Sequence, residues 1–201
     1  MICCDHMVFV HVMKTGGKWV RDALSGGIPA EWNVYDSLRP TPTDQAAGLH
    51  TGILDAPSEY RGAPVLAYVR NPWDWYVSYF SFFRNKFDAG EDVGVFRRSL
   101  ASILEQNACT MHSVGMVLGE DGVVCCRMRR VEDGVGAQLL RFMDDNCPYV
   151  PEAVRVAANS MERKNVSRRG DYRSYYTDEM AASVAIRDAW LISEYDYEFG
   201  G

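Results

Sequence analysis

Residues 7–12 read MVFVHV and run straight into Met13-Lys14-Thr15-Gly16-Gly17-Lys18-Trp19. A run so nearly continuous in apolar, β-branched and aromatic residues suits a strand covered on both faces, as in a parallel sheet. The two glycines punctuate it, and Lys18 to Leu24 predicts a short helix that ends at Ser25-Gly26-Gly27. The pattern then repeats. Val65 to Val69 (VLAYV) predicts a second buried strand, followed by Arg70-Asn71-Pro72 and an aromatic helix from Trp73 to Phe83. Pro72 falls where its fixed φ and missing N–H suit the first helical position. Strand, turn and helix in succession predict an α/β fold: three layers, α/β/α, around a central, mainly parallel sheet.

The rest of the chain is read on the same rules. Residues 28–63 are rich in Pro, Gly, Thr and Asp, with short strand-like pieces around Trp32 to Tyr35. Helices are expected from Val93 to Glu105 and from Gly136 to Met143, and a third strand from Val123 to Met128. Ser167 to Tyr176 is basic and aromatic and reads as a loop. Thr177 then caps a helix that opens Met180 to Ile192. Repeats, low-complexity tracts and linkers are not evident, so a single domain over residues 1–201 is expected.

Composition limits the function. Hydrophobic residues at 47% and aromatics at 12% exceed what a disordered chain carries. A net charge of -6 argues against non-specific nucleic-acid binding, so an anion site must be a local basic pocket. Apolar runs fall short of the roughly 20 residues that cross a bilayer, and the first residues do not resemble a signal peptide. The six cysteines, at 3, 4, 109, 125, 126 and 147, lack zinc-site spacing. They suit core filler in a reduced, cytoplasmic protein.

The glycine turn suggests an anion. Backbone N–H groups at a helix N-terminus attract phosphate or sulfate, and glycine lets the chain wrap closely. Lys14 and Lys18 could add charge, although such a turn also occurs for geometry alone. A nucleoside-triphosphate P-loop, G-x-x-x-x-G-K-[ST], is disfavoured. Its first glycine would fall at Val12 and its magnesium-binding hydroxyl at Trp19. In the second segment the Arg70 fork and the Ser78 hydroxyl would suit another phosphate, at the carboxyl end of the second strand.

These motifs resemble the sulfotransferases that use 3′-phosphoadenosine 5′-phosphosulfate (PAPS), which share a P-loop-like fold. KTGGKW is similar to their 5′-phosphosulfate loop, and R-N-P-x-D-x-x-x-S stands complete as Arg70, Asn71, Pro72, Asp74 and Ser78. The resemblance implies Lys14 at the 5′-phosphate and bridging oxygen, with Thr15, Gly16, Gly17 and Lys18 forming the loop. It places Trp19 on adenine and gives Arg70 and Ser78 to the 3′-phosphate. Residues 167–180, SRRGDYRSYYTDEM, resemble a C-terminal stretch that would add Arg168, Arg169 and Gly170 to that pocket. Residues 131–143 resemble, loosely, the family's Tyr-Glu-Asp-Leu region. Two positions depart from the pattern: Lys18 replaces the usual Thr or Ser, and Met13 a common Pro.

The implied reaction moves the sulfuryl group to an acceptor hydroxyl or amine on a small molecule or glycan. It needs a cation at the leaving oxygen, here Lys14, and a base, but no metal. His50, in GLHTGIL, resembles the position of the family's catalytic histidine, without its flanking Lys and Pro. Glu31, Asp36 or Asp55 are the carboxylate alternatives, as in carbohydrate-type relatives. His11 reads as structural and His112 has no supporting context. A nucleotide kinase-like phosphotransferase and a catalytically silent adenine-nucleotide-binding module remain the other readings.

Overall fold

The structure, a computed structural model, describes residues 1–37, 51–85 (side chains to residue 82), 93–106, 108–160 and 170–200. It is mixed α/β with a small mixed sheet. Contacts group the chain into two compact units, one of residues 1–69 and 113–164, the other of residues 70–112 and 165–201.

The first unit holds the strands. β1 (Ile2–Cys4) and β2 (Met7–Phe9) form an antiparallel hairpin, and β3 (Tyr35–Asp36) pairs antiparallel with β1 on its other side. β4 (Val65–Leu66) runs parallel to β2, and β5 (Tyr68–Val69) runs parallel to β6 (Arg129–Arg130). The carbonyls of Pro64 and Leu66 accept from Val8 and Val10, whereas that of Ala67 accepts from Arg129. Alternate carbonyls leave opposite edges of a strand. Residues 65–69 therefore act as one strand with a parallel neighbour on each side, β2 on one edge and β6 on the other.

Both faces of this sheet are covered, as the apolar runs require. Ile2, Cys4, Met7 and Phe9 join one hydrophobic core with Leu66 and Tyr68, while Cys3, Val8 and Val10 are equally buried on the alternate positions. Three helices supply the rest of that core: α1 (Gly17–Ser25) through Val20 and Leu24, α5 (Val135–Asn146) through Leu139, Phe142 and Met143, and α6 (Glu152–Ser160) through Val154.

The second unit is helical: α2 (Pro72–Asn85), α3 (Val93–Gln106), most of α4 (Cys109–Val114), α7 (Asp178–Arg187) and α8 (Ala189–Glu194). Aromatic rings hold it together. Phe96 is met edge-on by Phe80, Tyr175 and Tyr176, with centroids 5.3, 5.5 and 5.2 Å away. Trp73 donates its indole N–H to the Ala181 carbonyl at 2.9 Å, and the Tyr176 hydroxyl donates to the Trp73 carbonyl at 2.8 Å.

Three expectations need correction. The strand expected at Val123–Met128 is displaced to Arg129–Arg130. Val123 instead belongs to a turn around Gly122, closed by an isolated Leu118–Val124 bridge, and it is 61% exposed. The helix expected through Ile192 breaks at Asp188. Its buried carboxylate accepts the Tyr76 hydroxyl and the Thr110 amide, each at 2.7 Å, and its backbone leaves the helical region to do so. Cys125 and Cys126 lie on a bend rather than in a strand, and Cys125 is exposed rather than core filler. The sequence reading also missed β1, α4 and α6.

Candidate functional site

The glycine loop is shaped by its backbone. Lys14 and Gly16 both take left-handed φ angles, 65° and 75°. The Thr15 hydroxyl is buried and donates to the Val12 carbonyl at 2.9 Å, tying the loop back to the strand that feeds it. Trp19 and Val20 donate to the Gly16 carbonyl at 2.9 and 3.4 Å, so the first turn of α1 closes there. The amides of Gly17 and Lys18 precede any helical acceptor. α1 has no side-chain cap and no acidic residue in its first turn, which leaves its positive end uncompensated from within the helix. Lys18 is exposed, Lys14 half-buried.

Gly17 is fixed by close approach. A β-carbon there would stand 1.8 Å from Cδ2 and 2.3 Å from Nε2 of His11, whose ring lies directly beneath. Trp19, which the resemblance gives to adenine, packs against the first unit's core, and its ring tip comes 3.1 Å from where a Gly136 β-carbon would be.

The second element is built from side chains. Arg70 donates through Nε to Asp74 Oδ2 at 2.6 Å and through Nη1 to Ser78 Oγ at 3.2 Å, while Nη2 contacts the same carboxylate. The helix geometry makes this possible: Asp74 and Ser78 are four residues apart and share one face of α2. Asn71 starts that helix. Its side-chain carbonyl accepts from the amides of Trp73 and Asp74 at 3.1 and 3.4 Å, and its side-chain amide donates to the Glu198 carbonyl at 3.2 Å. Reading Asn-Pro as cap and first turn would have found this role from the sequence. Ser78 is buried, and Arg70 and Asp74 are mostly so.

The chain is similar to no family model, no curated protein and no solved structure.

His50, Arg168 and Arg169 lie outside the described residues. Gly170 is exposed, beside Asp171, whose carboxylate pairs with Arg173. Of the carboxylate alternatives, Asp36 is held by both oxygens on Arg21 Nη2, at 2.8 and 2.6 Å. Asp55 accepts the Gly52 amide at 3.0 Å, and Glu31 is exposed on the turn at Ala30–Trp32. His6 packs edge-on against Trp32 in the β1–β2 turn. His112 stacks on Trp75 with centroids 5.4 Å apart and planes at 30°. Among the described residues no three His, Cys, Asp or Glu side chains group as metal ligands. No helix there is long and apolar enough to cross a membrane.

Proposed function

We propose that this chain is a PAPS-dependent sulfotransferase with a P-loop-like, three-layer α/β/α architecture. The observation that carries the reading is the Arg70 cluster: Arg70, Asn71, Asp74 and Ser78 of R-N-P-x-D-x-x-x-S form one hydrogen-bonded group in which Arg70 meets Ser78 at 3.2 Å. Asp74 orients the guanidinium, and Ser78 adds a hydroxyl beside it. A planar cation next to a hydroxyl suits a phosphate monoester, here the 3′-phosphate.

The glycine loop is assigned separately, within its own unit, to the 5′-phosphosulfate. Left-handed angles at Lys14 and Gly16 and the amides of Gly17 and Lys18 at the start of α1 fit a tetrahedral anion. When bound, PAPS supplies an activated sulfuryl group. Lys14 stabilises the charge that grows on the leaving oxygen, and a base removes the acceptor proton. His50 takes that role in this reading on its resemblance to the family's catalytic histidine; of the carboxylate alternatives, Asp36 is committed to Arg21.

Calorimetric titration with 3′,5′-adenosine bisphosphate, and separately with ATP and Mg²⁺, tests the assignment. Binding of the bisphosphate that is lost in Arg70→Ala supports it. Binding of ATP–Mg²⁺ alone would overturn it in favour of a kinase-like protein. His50→Ala then separates an enzyme from a silent binding module: an enzyme loses turnover with PAPS and keeps bisphosphate affinity.

A further inference from the structure

We infer that His11 is a positioning residue for the glycine loop, acting through Gly17 rather than on the ligand. The inference rests on the assignment of that loop to the 5′-phosphate group. Where a side chain at position 17 would begin, the imidazole already stands: the β-carbon position is 1.8, 2.3 and 2.7 Å from Cδ2, Nε2 and Cγ of His11. Contacts that close belong to overlapping atoms, so the ring and the Cα of Gly17 are in direct contact.

The ring is held in place. His11 is only 5% exposed and lies nearly parallel to Phe9, centroids 6.2 Å apart and planes at 19°. Phe9 meets Tyr68 at 6.4 Å, and the Tyr68 hydroxyl donates to the Val135 carbonyl at 3.0 Å. Val135 in turn flanks the loop, its Cγ2 being 3.7 Å from the β-carbon position of Gly16. Floor and wall are thus tied to each other through Phe9 and Tyr68. The loop between them has one place to sit, which fixes the direction of the Gly17 and Lys18 amides. Preorganisation of this kind lowers the ordering cost of binding.

His11→Ala, Gly17→Ala and the double variant are to be titrated with 3′,5′-adenosine bisphosphate and with adenosine 3′-monophosphate, which lacks the group assigned to the loop. His11→Ala is expected to weaken the bisphosphate about tenfold and to leave the 3′-monophosphate within about twofold. A role confined to general stability would move both ligands together. Gly17→Ala should lose more, and the double variant should recover part of that loss because the added methyl group then has room. If His11→Ala does not fold, His11→Asn is expected to show the same split. Unchanged bisphosphate affinity, equal loss of both ligands, or an additive double variant would each overturn the role of His11 alone. A wild-type protein that binds neither ligand would overturn the functional reading, and this inference with it.

Discussion

The glycine loop and the Arg70 cluster both follow a strand and are both assigned to a phosphate in the proposed function, yet they are made of different material. The loop is a backbone device. Its shape comes from left-handed angles at Lys14 and Gly16, a Thr15 hydroxyl spent on Val12, and a ring that forbids any side chain at 17. The Arg70 cluster is a side-chain device, in which a guanidinium, a carboxylate and a hydroxyl are hydrogen-bonded across two turns of α2. A backbone device is damaged by adding atoms and by loosening its supports. A side-chain device is damaged by removing one polar group. The two should therefore respond to mutation in opposite ways.

The largest expected effect is on the loop's support. Trp19 packs against the core and over Gly136, so Trp19→Ala should destabilise the protein by about 3 kcal/mol, in the range of large aromatic truncations. Denaturant unfolding monitored by circular dichroism measures it. A loss of nucleotide affinity with no change in stability would show instead that Trp19 works as a ligand platform and not as a support.

Arg70→Ala comes next. It removes the guanidinium of the cluster and leaves the Asp74 carboxylate without it, so bisphosphate affinity should fall about 100-fold on the proposed assignment. The variant should also lose some stability, because Asp74 and Ser78 are largely buried and are left without the guanidinium that bonds both. Asp74→Asn should have a weaker effect of the same sign, since it loosens the guanidinium without removing it.

The hairpin beneath the loop gives a pH-dependent contrast. Burial pushes the Cys3 thiol up to about 12 from a usual value of 9.0, and Cys4 is raised for the same reason. A group whose pKa is raised on folding adds stability that is fully present below its unfolded value. That stability is lost as the pH climbs toward the folded value. Stability should therefore hold below pH 9 and fall above it, by about 1.4 kcal/mol per pH unit for Cys3. Thermal melts from pH 8 to 11 would read this, and Cys3→Ala should flatten the alkaline slope. A slope unchanged in that variant would mean that Tyr76 or Tyr68, whose hydroxyls are also raised by burial, governs alkaline unfolding.

Much of this contrast could be read from the sequence, and the parts that could not have identifiable causes. Met7–Phe9, the first half of the expected Met7–Val12 strand, Val65–Val69 and the helices at 17–25, 72–85, 93–106 and 135–146 follow from local pattern, because glycine, proline and apolar periodicity act over a few residues. The displaced strand at 129–130 and the break at Asp188 do not. Arg129 is placed by pairing with residues more than 60 positions earlier, and Asp188 by a tyrosine and an amide on two other helices. Such partners leave no local signature. The Arg70–Asp74–Ser78 face was legible because helical spacing dictates it, whereas the His11–Gly17 contact was not. In the sequence His11 is one more residue of a strand, and only the closing of α1 over the sheet brings Gly17 onto its ring.

The smallest effect is the sharpest test of the contrast. Ser78→Ala removes one neutral hydroxyl, buried and bonded to Arg70 at 3.2 Å, and should weaken bisphosphate binding about fivefold, near 1 kcal/mol. Thr15→Val removes a buried hydroxyl of the glycine loop, one that bonds the Val12 carbonyl and is not assigned to a ligand contact. Its effect should therefore appear in hydrogen exchange of the amides at 15–18, which should open faster, as well as in affinity. If Ser78→Ala instead altered exchange within α2 while affinity stayed constant, the hydroxyl would serve the helix alone. The distinction between a site made of backbone and a site made of side chains would then fail at its weakest member.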